Sequence, residues 1–252
     1  MSFLKKIFTE LFVSTEKKYV EALNEEISLN NYVNLRKIPT KLSIEQRVAL
    51  ALKLKTDGKL NGIYVPKKVY FFSMGEKEQK EFRDLIKSKG KIELAPLKQI
   101  WNVQNSLLFS LLQHFEDGLI SNDFFYTKNF LNNFIKKELQ SSEEYELSKL
   151  KGKLDIEQDD LFKLIRKLIQ EKTLEGVIQD NSRYLDKDTF NELMLNYIEE
   201  KMEDSPEIEY DDISKELKIS IQHIEGFLIQ FAKENPDLVV VYPIEKKLRF
   251  KG

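Results

Sequence analysis

One phrase occurs four times in this chain: an amphipathic helix opened by a polar cap, a polar turn, then a β-rich stretch carrying a turn signal. The helices run from Ser43-Ile44-Glu45-Gln46 to Gly58, from Asn102-Val103-Gln104-Asn105 to Gly118, from Asp155-Ile156-Glu157-Gln158 to Lys172, and from Ser220-Ile221-Gln222-His223 to Asn235. The same order of elements returning every roughly 50–60 residues marks an array of small domains. It overrides the length prior, which would assign 252 residues to one large or two ordinary domains.

The third stretch shows the unit most fully. Thr127 to Leu139 reads as a first helix, with Phe130, Leu131, Phe134 and Ile135 on one face. Tyr145 to Leu150 leads into a brief second helix. Asp155 reads as the cap of a third helix, with Gln158 completing a capping box. Leu161, Leu164, Ile165, Leu168 and Ile169 then form one buried stripe. Leu174 to Ile178, the turn Gln179-Asp180-Asn181-Ser182 and Arg183-Tyr184-Leu185 spell a β-hairpin. Helix, short strand or helix, helix, hairpin is the winged-helix order. The first stretch closes the same way around Pro66-Lys67-Lys68, and the fourth around Pro243 to Lys246. The second has only Leu119-Ile120, Ser121-Asn122-Asp123 and Phe124-Phe125-Tyr126, so its wing is reduced. First helices of the second and fourth units run from Glu76 to Lys89 and from Asp188 to Met202, the latter with a Thr189…Glu192 capping box. The expected fold is mainly α with small β-hairpins. It is a tandem array of winged-helix domains at 1–74, 75–126 (reduced wing), 127–187 and 188–252. No Gly-, Ser- or Pro-rich linker separates them, which predicts a rigid stack.

Charge is spread unevenly. The net is −2, yet residues 1–74 hold 13 Lys+Arg against 7 Asp+Glu, while residues 126–252 hold 20 against 27. A phosphate-binding surface therefore belongs near the N-terminus. The absence of cysteine excludes disulfides, thiolate metal sites and a thioester-forming nucleophile, and fits a reducing, cytoplasmic setting. No apolar run reaches the roughly 18–20 residues of a membrane span.

No catalytic constellation is legible. The two histidines, His114 and His223, lie on helices of different units and have no ligand or base spacing around them, so no metal and no cofactor is expected. No phosphate-binding glycine loop occurs among nine glycines. A DNA-reading array needs basic residues on its third helices. The second unit offers Asn102, Gln104, Asn105, Gln113 and Glu116 there, and the third begins with Asp155, Glu157, Asp159 and Asp160. Only the first unit supplies candidate phosphate-binding residues: Arg47, Lys53, Lys55, Lys59, Lys67 and Lys68. Protein partners are the better expectation, nucleic acid the weaker one. The N-terminal stripe Phe3, Leu4, Ile7, Phe8, Leu11 and Phe12 is a candidate partner-binding helix. Its alternatives are packing in the first core or lying peripherally on a membrane surface.

The stretch from Asp160 to Asp180, with its Leu164-Ile165-Arg166-Lys167 helix and Thr173-Leu174-Glu175-Gly176-Val177-Ile178 wing, is similar to the winged helix of DDRGK-domain proteins. The serial arrangement, and the phrase from Asp57 through Phe71-Phe72, resembles the scaffold E3 ligase for the ubiquitin-fold modifier (ufmylation). The Lys- and Asn-rich composition permits a minimal archaeal relative. The resemblance implies a non-catalytic scaffold that brings a conjugating enzyme to its substrate, with that enzyme or a DDRGK-like protein as partner, and it supplies no catalytic residues. Such wings also occur in the tandem winged helices of ESCRT-II. That leaves an ESCRT-II-like adaptor, or a DNA-binding protein acting through the basic first unit, as alternatives.

Overall fold

The computed structural model describes residues 3–251 except 102 and 104, and side chains from residue 15 onward; the side chains of Phe3, Leu4, Ile7, Phe8, Leu11 and Phe12 lie outside the described residues. The fold is mainly α, with small antiparallel sheets of three strands. One order of elements recurs. The first set is α1 (Phe3–Asn30), β1 (Tyr32–Asn34), α2 (Ile44–Thr56), β2 (Gly62–Val65) and β3 (Tyr70–Ser73). The second is α3 (Glu76–Lys89), β4 (Lys91–Glu93), α4 (Leu94–Trp101), α5 (Asn105–Phe115), β5 (Gly118–Ser121) and β6 (Phe124–Thr127). The third is α6 (Lys128–Leu139), β7 (Glu144–Glu146), α7 (Leu147–Leu154), α8 (Gln158–Gln170), β8 (Gly176–Gln179) and β9 (Arg183–Asp186). The fourth is α9 (Lys187–Asp204), β10 (Glu207–Glu209), α10 (Tyr210–Leu217), α11 (Ile221–Glu234), β11 (Val239–Tyr242) and β12 (Lys247–Phe250).

In each sheet the last strand made lies in the middle, in the orders β1-β3-β2, β4-β6-β5, β7-β9-β8 and β10-β12-β11. Alternation along these central strands sends adjacent side chains to opposite faces. In β3, Phe71 joins a core with Tyr19 and Leu23 of α1 and Ala51 of α2. Its neighbour Phe72 joins another with Ile86 of α3 and Leu108 and Leu111 of α5. Both rings are essentially fully buried. In β9, Leu185 packs with Met194 and Ile198 of α9 and Ile224 of α11. The chain divides into two compact units, Met1–Phe130 and Leu131–Gly252.

Three hairpins open on a glycine because nothing larger fits. A Cβ at Gly62, Gly118 or Gly176 would stand 2.0, 2.3 or 2.3 Å from the carbonyl oxygen of Phe72, Tyr126 or Leu185. The rings of Phe71, Phe125 and Tyr184 lean across the space left. The second hairpin is shortened only at its turn, residues 122–123; its strands are as long as the others. The hairpin's final residue then serves the next helix. Thr127 Oγ1 accepts from the Phe130 N–H at 3.3 Å, and Asp186 Oδ1 from the Thr189 N–H at 2.8 Å.

Several caps differ from the sequence expectation. Ser43 and Gln46 do form a reciprocal capping box on α2. Asp155, however, ends α7 in the left-handed conformation (φ 52°), and Glu157 is the N-cap of α8. Burying Ile156 requires this extra bend before the helix starts. Asp186, not Thr189, caps α9. Helix α1 runs unbroken to Asn30, since neither Gly nor Pro interrupts residues 3–30, and among its described side chains Tyr19 and Leu23 are fully buried in the core. The first set also lacks a helix between β1 and α2, where Pro39 falls.

Two tyrosines in the second unit test the polar bookkeeping of these cores. The Tyr184 hydroxyl donates to the Glu175 carbonyl at 2.7 Å. Tyr210 is fully buried, and its hydroxyl has no hydrogen-bond partner among the described residues; burial, with Glu225 nearby, pushes this phenol up to about 12. Tyr184→Phe should lower stability by about 1 kcal/mol, whereas Tyr210→Phe should be neutral or stabilising by up to about 1 kcal/mol. Urea denaturation of the two variants checks the opposite signs.

Candidate functional site

The basic residues of the first set do not act as one group. Arg47 is taken up by the backbone. Its Nε donates to the Leu42 carbonyl (2.9 Å), Nη1 to those of Leu35 (3.2 Å) and Arg36 (2.9 Å), and Nη2 to that of Thr40 (3.2 Å). The Tyr19 hydroxyl in turn donates to the Arg47 carbonyl at 3.0 Å. The guanidinium thus holds the loop that stands where the other sets have a second helix. Lys53 and Lys55 are exposed on the last turn of α2, Lys59 follows it, and Lys67 and Lys68 are exposed on the β2–β3 turn. Lys55 lies close enough to His114 on α5 to help hold that imidazole below its ordinary 6.5, after partial burial and together with Arg83.

Concave surfaces of about 540–620 Å³ lie in the second unit. A cleft of about 620 Å³ opens where α8, the β8–β9 turn and the α10–α11 corner meet. The turn is fastened to that corner. The Asp180 N–H donates to the Lys218 carbonyl (3.0 Å), and the Gln179 amide nitrogen donates to the Leu217 carbonyl (3.0 Å). Lys218 Nζ reaches Asp180 Oδ2 at 3.1 Å, and Gln179 bridges to Ile219 as an isolated antiparallel pair. Asp180, Asn181 and Lys218 all adopt left-handed backbone to make this fit. On the other side Arg166 donates to Asn181 Oδ1 at 3.2 Å. Both cations of the cleft are therefore engaged, and its one carboxylate, Asp180, is paired. Ser220 Oγ sits 2.6 Å from His223 Nδ1, but the two belong to a single helical turn and no acid orients the ring from the cleft wall. This is a hydrogen-bonding surface rather than a nucleophile–base site. Among the described residues no group of His, Asp and Glu could hold a metal ion.

His223 also lines a second groove, of about 580 Å³, between α9 and α11. Its wall is aromatic. Phe190 meets Phe227 edge-on with centroids 5.7 Å apart, and Phe227 stacks on Phe231 at 6.0 Å. Gly226, inside α11, faces this groove, and a Cβ there would meet nothing within 4 Å. Sequence reasoning had missed both concavities. The clamp joins residues 38 positions apart and leaves no local pattern, but a glycine inside an apolar helical period was a readable signal for the groove.

Two outcomes follow from this geometry. Gly226→Ala should stabilise the fold by about 0.5–1 kcal/mol, because helix propensity improves and nothing is displaced; thermal melting measures it. Burial holds the His223 imidazole below its ordinary 6.5. The unfolded ring then takes up a proton more readily than the folded one. Stability from this residue is complete above pH 6.5 and is lost as pH falls below it. His223→Gln should flatten that limb of a stability profile recorded from pH 7.5 downward.

None of the residues singled out near the N-terminus lies in the region that known proteins match. A family model described as E3 UFM1-protein ligase 1 matches residues 76–228, from the start of α3 into α11, and so spans the whole clamped cleft. No curated protein matches the chain. With more than half of its length in that match, the chain belongs to the E3 UFM1-protein ligase 1 family.

Proposed function

We propose that this chain is a non-catalytic scaffold of UFM1 conjugation. In this reading four winged-helix modules, at 1–74, 75–126, 127–187 and 188–252, hold a charged conjugating enzyme close to its substrate. The observation that carries the reading is the family match over residues 76–228. The recurring element order and the last-made central strand of every sheet support the winged-helix assignment. A chain without cysteine carries no thioester of the modifier, so its contribution to rate is proximity and orientation, which can supply several kcal/mol of a transfer barrier. The partners are proteins of the conjugation machinery, a DDRGK-like winged-helix protein among them, and the setting is cytoplasmic with any membrane contact peripheral. No described helix is long and apolar enough to cross a membrane. Nucleic-acid binding through the first module is the weaker reading, because Arg47 is already committed to four carbonyls.

Single-turnover discharge tests the proposal. A conjugating enzyme charged with UFM1 is mixed with free lysine, with or without the chain and a DDRGK-domain protein. The chain should bind the charged enzyme and speed discharge by about tenfold or more. Absence of both binding and acceleration would remove the scaffold reading.

A further inference from the structure

We propose that the groove between α9 and α11 is a docking site for an amphipathic helix of a partner protein, one whose apolar stripe is flanked by Lys or Arg. Three independent features point to that occupant. The first is shape and polarity. Phe227 and Phe231 form a partly exposed aromatic wall over the buried Phe190, and Leu195, 38% exposed, stands at the rim. An apolar trough between two helices is the receptor form of helix-in-groove recognition.

The second feature is Gly226. The hairpin glycines are required by their own sheets, but nothing among the described residues requires Gly226, since a Cβ there would meet open space. A helix-interior glycine weakens its helix, and its missing side chain lets another backbone approach closely. Its position in the lining of the trough puts that close approach at the docking surface.

The third feature is charge. Asp188, Glu192 and Glu199 lie on the same stripe of α9 as Leu195, all three exposed and none of them in an ion pair among the described residues. Glu234 lines the groove from α11. The one cation of the lining, Lys187, is paired with Glu175 at 3.1 Å. Residues 187–252 as a whole hold nine Lys+Arg against fifteen Asp+Glu. Such a rim repels phosphate, whether of nucleic acid or of an anionic bilayer, and attracts a cationic flank.

The inference goes beyond the scaffold reading and can fail without it. The probe is a fluorescent synthetic helix of roughly 18 residues with Leu and Phe along one stripe and Lys beside it, set against a twin with Glu in place of Lys. Anisotropy titrations use the full chain. The Lys peptide should bind, and the Glu twin should bind about tenfold more weakly or worse. Glu192→Lys/Glu199→Lys and Gly226→Gln should each weaken the Lys peptide by about tenfold, while the same charge change on α3, Glu76→Lys/Glu81→Lys, should leave it within about twofold. Gly226→Ala should bind more weakly although it is the more stable protein, which separates docking from unfolding. No binding of the Lys peptide, equal binding of the twin, or parental affinity in Gly226→Gln would overturn the proposal. Capture of anionic vesicles that is lost in Leu195→Asp would overturn it too, in favour of lipid. Any of these with UFM1 discharge still accelerated would remove the groove alone.

Discussion

The central strands β3, β6 and β9 each bury consecutive residues on both faces, whereas β12 buries only Leu248, and much else in this protein depends on that two-sided burial. A strand with hydrogen-bonded neighbours on both edges and packed side chains on both faces cannot slip by one residue without reversing every contact. In β3 the consecutive rings of Phe71 and Phe72 serve two different cores. The core of the second set is thereby built partly on the sheet of the first, as that of the fourth is on the sheet of the third. The chain then leaves β3 for α3, and β9 for α9, with no linker in which orientation could be lost. Adjacent sets that share a wall behave as one packed body, unlike domains joined by flexible chain.

The same constraint explains which local signals could be read from the sequence. Long amphipathic helices and hairpins were legible because their periods repeat over many residues: α3 spans Glu76–Lys89 as the pattern demands. The three-residue strands β1, β4, β7 and β10 carry too few alternations to show, and they form because a central strand offers an edge. Caps were legible only where tertiary packing agreed with them. Ser43…Gln46 makes its box; Asp155…Gln158 has an equally suitable pattern, but Ile156 must reach the core, so the chain turns through a left-handed Asp155 first.

Charge in a sequence says how many ions there are and not what they are doing. The basic character of the first set drew attention to Arg47, whose guanidinium is occupied by carbonyls of a loop that has no helical bonds of its own. A planar fork of five donors can satisfy several converging acceptors at once, and that geometric capacity here serves the fold. In the second unit, where acids outnumber bases, most cations are likewise tied to a local carboxylate, as Lys218 is to Asp180 and Lys187 to Glu175. What faces solvent beside the α9–α11 groove is then a residue of negative charge that no composition count would have located.

The clamped cleft and the α9–α11 groove differ in what they offer a ligand. The clamped cleft is held by backbone and side-chain bonds that join the α10–α11 corner to β8 and the β8–β9 turn. Its polar groups largely satisfy one another, so a ligand there must break bonds to make new ones. The neighbouring groove has apolar rings and an open glycine already presented, and a partner covering them gives up only water. Recognition therefore costs less in the groove, while the clamp beside it fixes the corner from which α11 starts. Since His223 lines both, a rigid clamp on one side of the helix and an adaptable surface on the other are parts of the same element.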